Sequence, residues 1–90
     1  MPKYVIEREI PGVGKMTAEE RQGGAVKSNA IIDELGTHIQ WVHSYLTPDK
    51  IYCIYLAPNK EIIQQHADLS GFPANRIEEV QGLIDPTTAQ

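Results

Sequence analysis

The chain is 90 residues long, carries a formal net charge of −4 and contains one cysteine. That length supports one modest core and makes self-association a common route to more buried area. No block of Lys or Arg supplies the footprint of a phosphate-backbone binder, so no nucleic acid partner is expected. One Cys cannot form an internal disulfide, and neither a leader-like start nor an apolar run of about 18 residues is present; no membrane segment is expected, and a reduced, cytoplasmic protein is the default.

Lys3 to Ile10 alternates Tyr4, Ile6, Arg8 and Ile10 with Val5, Glu7 and Glu9, the pattern of a strand with one apolar and one acidic face. Pro11-Gly12-Val13-Gly14-Lys15 breaks it. Thr17-Ala18-Glu19-Glu20 then supplies a capping box, which starts a helix expected to run to Leu35, stop at Gly36 and turn Ala25, Ser28, Ile32 and Leu35 inward. Gly23-Gly24 interrupts that helix, which predicts a close approach to the sheet, a kink or a break.

Ile39 to Ala57 holds the only Trp and three of the four Tyr. Thr47-Pro48-Asp49-Lys50 suits a tight turn, so the stretch reads as a hairpin with Leu46 opposite Ile51, Tyr45 opposite Tyr52 and His43 opposite Ile54. Strict alternation places Trp41, His43, Tyr45, Tyr52, Ile54 and Leu56 on one face, and Val42, Ser44, Leu46, Ile51, Cys53 and Tyr55 on the other. A second helix, capped by Asn59 and ended by Gly71, points Ile62, Ile63, His66 and Ala67 inward. Gly71 to Asn75 is a structured loop, Arg76 to Ile84 a last strand, and residues 85–90 a polar C-terminal tail.

The order strand, helix, two strands, helix, strand is that of a single α+β, ferredoxin-like βαββαβ domain spanning 1–90, a four-stranded antiparallel sheet with both helices on one face. The other face then carries Trp41, Tyr45, Tyr52 and Ile54 with nothing of the chain's own to cover them. A second copy would do so, giving a homodimer of the dimeric α+β barrel type.

A pocket on that open face would be lined by Glu7, Glu9, Trp41, His43, Tyr45 and Tyr52. Carboxylates beside an imidazole form a donor set for Ni²⁺ or Zn²⁺, or an acid–base pair in which His43 is the general base and Glu7 sets its tautomer. His66 is either a satisfied core residue or a further metal ligand. Cys53 reads as a buried, inert thiol, His38, beside Thr37, as a solvated loop residue, and Arg76 as the solvated partner of Glu78 or Glu79. Gly12-Val13-Gly14-Lys15 lacks the further glycine that a phosphate loop or dinucleotide fingerprint needs, so no nucleotide is expected.

Tyr4-Val5-Ile6-Glu7-Arg8-Glu9-Ile10-Pro11-Gly12, Trp41-Val42-His43-Ser44-Tyr45, Lys50-Ile51-Tyr52-Cys53-Ile54-Tyr55 and His66-Ala67 before Gly71-Phe72-Pro73-Ala74-Asn75-Arg76-Ile77 resemble a bacterial family of small ferredoxin-like domains often labelled nickel-binding proteins. The resemblance spans almost the whole chain. It implies the ferredoxin-like fold, a dimer and a nickel site to which His66 is the residue carried over. Residues and resemblance together predict a homodimeric binding domain for a divalent metal or small ligand, with a small cofactor-independent enzyme using His43 as the alternative.

Overall fold

The structure, a computed structural model, describes residues 1–36 and 38–90; Thr37 lies outside the described residues. The elements are β1 (Lys3–Glu9), α1 (Ala18–Leu35), β2 (Gln40–Leu46), β3 (Lys50–Leu56), α2 (Lys60–Ser70) and β4 (Arg76–Glu79). The strands form one antiparallel sheet in the order β2-β3-β1-β4, the ferredoxin-like plan expected from the element order. Tyr4, Ile6, Cys53 and Tyr55 point from the central strands into a core completed by Ile63 of α2, with Ile32 and Leu35 of α1 packed against it.

Both helices begin and end where their caps dictate. The Thr17 hydroxyl accepts from the Glu20 amide at 3.1 Å while the Glu20 carboxylate accepts from the Thr17 amide at 3.0 Å, satisfying two otherwise orphaned donors. The Asn59 side chain accepts from the Ile62 amide at 3.1 Å, and Gly71, at φ 75°, supplies the left-handed residue that ends α2. The Gly23-Gly24 expectation is corrected. α1 is continuous through both, and a Cβ at either would meet nothing within 4 Å, so the pair marks neither a break nor a close approach but open space beside the helix.

Gly14 is the glycine that a close approach does require. Its amide donates to the Pro48 carbonyl at 3.0 Å and the Gly12 amide donates to the Asp49 carboxylate at 2.9 Å. A Cβ on Gly14 would stand 2.7 Å from the Pro48 Cα. The glycine-rich segment therefore docks a short turn on the β2–β3 turn, which accounts for its composition without a phosphate.

The hairpin register is as expected from Leu46 to His43, then departs from it. Trp41, expected opposite Leu56, pairs instead with Tyr55, and a bulge between Trp41 and His43 leaves Val42 without a partner. One extra residue reverses the parity of what precedes it. Trp41 therefore leaves the open face and lies on the helix side, where its indole Nε1 donates to the Ser44 hydroxyl at 3.0 Å and its ring packs against the core. The last strand is also shorter than the expected Arg76 to Ile84. It stops at Glu79, because its partner β1 begins at Lys3, whose carbonyl takes the final bond, 2.8 Å from the Val80 amide. The chain beyond leaves Leu83 and Ile84 each 86% exposed, and within the polar tail residues 86–89 form a 3-10 turn capped by Asp85.

Candidate functional site

Register fixes the open face as rows of side chains. Tyr45, Tyr52, Glu7 and Arg76 form one row across the four strands, and His43, Ile54, Val5 and Glu78 form the next. In the first row the Glu7 carboxylate accepts from the Lys50 ammonium at 3.0 Å and from the Tyr52 hydroxyl at 3.3 Å. The Lys50 hydrogen bond holds the Glu7 carboxyl below its ordinary range against the opposing effect of burial, and Glu7 in turn raises the Lys50 ammonium. Glu9 faces Lys50 across the strands and is exposed.

His43 is not part of that network. It sits in the next row with β3 between it and β1, and two strand spacings are roughly 10 Å. Its ring meets Tyr45 edge-on, with centroids 4.9 Å apart. Glu7 therefore orients Lys50 and Tyr52 rather than an imidazole, and the expected His43–Glu7 acid–base pair is not brought together. The pocket expected from Glu7, Glu9, Trp41, His43, Tyr45 and Tyr52 keeps five members on one face and loses Trp41 to the bulge.

His66 stands across the sheet from both. It is fully buried in α2, its Nε2 is 3.2 Å from the Ser28 hydroxyl, and its ring lies against Tyr55 at 5.5 Å. Burial first, then the Arg8 guanidinium, pushes its pKa below the ordinary value, which keeps the ring neutral inside the core. His43, Glu7 and His66 thus do not converge. Among the described residues no cluster of three or more His, Cys, Asp or Glu side chains is placed to hold a metal ion, so the donors of one chain do not fit a nickel or zinc centre. Cys53 is buried and free, His38 is exposed, and Arg76 pairs with Glu78 at 3.3 Å on the surface.

The helix side holds a feature the sequence reading passed over. A cavity of about 680 Å³ opens between the sheet, α1 and the loop after α2, with Trp41, Ile51, Met16 and Phe72 among its apolar walls. Arg8 lines it. Arg8 is 2% exposed although it carries a full charge. Its Nη1 donates to the Pro73 carbonyl at 2.8 Å and its Nε to the Cys53 sulfur at 3.5 Å, while Nη2 has no acceptor among the described residues. The signal was present in the sequence: Arg8 occupies an inward position of β1, between Ile6 and Ile10, where an unpaired charge is costly.

Comparison with known proteins bears on the family and the fold. No curated protein matches the sequence. The crystal structure of SCO4226 from Streptomyces coelicolor A3(2) superposes with a TM-score of 0.75, covering 91% of this chain and 99% of that one at 19% identity. At that identity the likeness establishes the fold alone. The family model described as nickel responsive protein SCO4226-like matches residues 4–80, which take in every strand and helix from Tyr4 through β4. The chain therefore belongs to the SCO4226-like family of nickel responsive proteins.

Proposed function

We propose that this protein is a homodimeric binding domain in which the open sheet faces of two copies meet, bringing the Glu7–Lys50–Tyr52 network, Glu9, Tyr45 and His43 of each copy to a shared seam. The observation that carries this reading is the composition of the open face. Val5, Tyr45, Tyr52, Ile54 and Leu56 share it with His43 and with charged side chains at Lys3, Glu7, Glu9, Lys50, Arg76 and Glu78, and Tyr45 is 59% exposed. Two tyrosines and three aliphatic side chains offer roughly several hundred Å² of apolar surface, at or above what a monomer usually leaves wet. Leu83 and Ile84, beyond the end of β4, add to the apolar surface that their own sheet does not cover.

The nickel in the family's name fits this assembly better than it fits a single chain. Because one chain assembles no group of three side-chain donors among its described residues, a nickel centre with three or more side-chain ligands must draw on both copies. Metal content then depends on assembly. Protein purified without a histidine tag, dialysed against Ni²⁺ and analysed for bound metal, is expected to hold nickel as the wild type and to lose it in Ile54→Glu, a substitution aimed at the seam that removes no donor. Equal nickel content in the two proteins, or none in the wild type, would end the shared-site reading.

A further inference from the structure

Most of the charge in this molecule is either solvated or paired; Arg8 is neither. Its guanidinium is a cation, yet it is buried beside Phe72, Cys53 and Pro73 with Nη2 left without an acceptor among the described residues. A buried charge without a counter-ion weakens the fold that contains it. The arrangement is retained next to a cavity whose volume, about 680 Å³, falls in the range of small-molecule sites. Among the charged residues that line that cavity are two arginines, Arg8 and Arg21, and one acid, Glu9, whose side chain belongs to the open face of the sheet, so the balance is positive.

We propose that this cavity binds a small molecule bearing a carboxylate on an apolar body, the carboxylate taking the hydrogen bond that Arg8 Nη2 otherwise lacks. A guanidinium pairs with a planar carboxylate through a charge-assisted hydrogen bond, and the walls supply the rest. Trp41 and Phe72 present aromatic surface; the Phe72 ring centroid lies 5.9 Å from Arg8 Cζ and 5.3 Å from Lys27 Nζ. Gly24 lines the cavity from α1 with nothing within 4 Å of where a Cβ would stand, which keeps that wall open. The bulge at Trp41–His43 contributes as well, since it delivers the indole to this side of the sheet. A phosphate would find fewer donors than its oxygens need and mostly apolar walls. The site lies across the sheet from the open face, so it stands or falls independently of the dimer.

Trp41 is the only tryptophan in the chain and lines the cavity, so its fluorescence reports occupancy directly. Benzoate, 2-naphthoate and decanoate, each beside its uncharged amide, serve as probes of the intact protein. At least one acid is expected to perturb Trp41 with a Kd below about 1 mM, with its amide binding at least about tenfold more weakly. Arg8→Met is expected to abolish the preference for the acid, and Gly24→Leu to weaken acid and amide alike by narrowing the space. Should Arg8→Met fail to fold, the acid–amide comparison on the wild type decides the matter by itself. No binding by any acid at about 1 mM, or equal binding of acid and amide, would overturn the proposal.

Discussion

The two faces of the sheet are built from the same strands and end in opposite states. Tyr4, Ile6, Cys53 and Tyr55 project to one side and are 5% exposed or less, because α1 and α2 lie on that side. Val5, Tyr45, Tyr52 and Ile54 project to the other, alternate with the first set along the same backbone, and meet no helix. The closed side is itself uneven. Under α2 it is filled by Ile63, His66 and Ala67, whereas the N-terminal half of α1 stands beside a cavity with a buried arginine at its wall. The lesson is that apolarity alone does not mark the core. What a side chain contributes depends on what covers its face, and no helix of the chain covers the second face here.

The comparison can be broken first where it is strongest. Ile63 is 0% exposed under α2, so Ile63→Ala is expected to cost about 3 kcal/mol of folding stability, read by urea denaturation; a cost below about 1 kcal/mol would mean that the filled half of the closed face is not the core. Ile54→Glu should behave differently. On the open face it is expected to leave the chain folded by circular dichroism but to weaken self-association by about 2 kcal/mol or more, and global unfolding would show that Ile54 belongs to the core instead.

His66 sharpens the contrast through pH. Folding depresses its pKa below the ordinary value of 6.5, so as pH falls the unfolded chain takes up the proton first. The stability it contributes is intact above that ordinary value and is lost as pH drops through the lower folded value. Arg8, Tyr55 and Ser28, the groups that face it, offer no carboxylate to reverse the sign. A His66→Gln variant is expected to show a flatter stability profile over that acid limb than the wild type, whatever its absolute stability; parallel profiles would contradict the burial of a neutral imidazole. The smallest effect belongs to Gly24. With nothing within 4 Å of its missing Cβ, Gly24→Ala is expected to raise stability by up to about 1 kcal/mol through helix propensity, a gain of a few degrees in Tm.

Much of the fold was legible because short-range chemistry set it. The capping box at Thr17, the Asn59 cap, the Gly36 and Gly71 stops and the Pro48-Asp49 turn each have a local cause, and each stands where its residues place it. The bulge at Trp41–His43 was not legible, because an extra residue in one strand leaves no periodic trace when both faces are rich in large side chains. That one residue moved the tryptophan across the sheet and with it part of the expected pocket. The length of β4 was illegible for a different reason: Val80, Leu83 and Ile84 have strand character, but the last bond to β1 is the one from the Val80 amide to the Lys3 carbonyl, at the first residue of β1. His66 was correctly placed on the inner face of α2 by its spacing from Ile62 and Ile63. Arg8 was placed correctly by parity too, and its meaning was missed because alternation says which way a side chain points and nothing about whether a counter-charge awaits it.

The most direct test of the account is the molar mass of the wild-type protein by light scattering across a dilution series at near-neutral pH. One chain weighs 10.0 kDa. A mass close to two chains, falling toward one in Ile54→Glu under the same conditions, is the expected result. A wild type that scatters as a single chain at every concentration, with Tyr45 and Ile54 left to water, would contradict it.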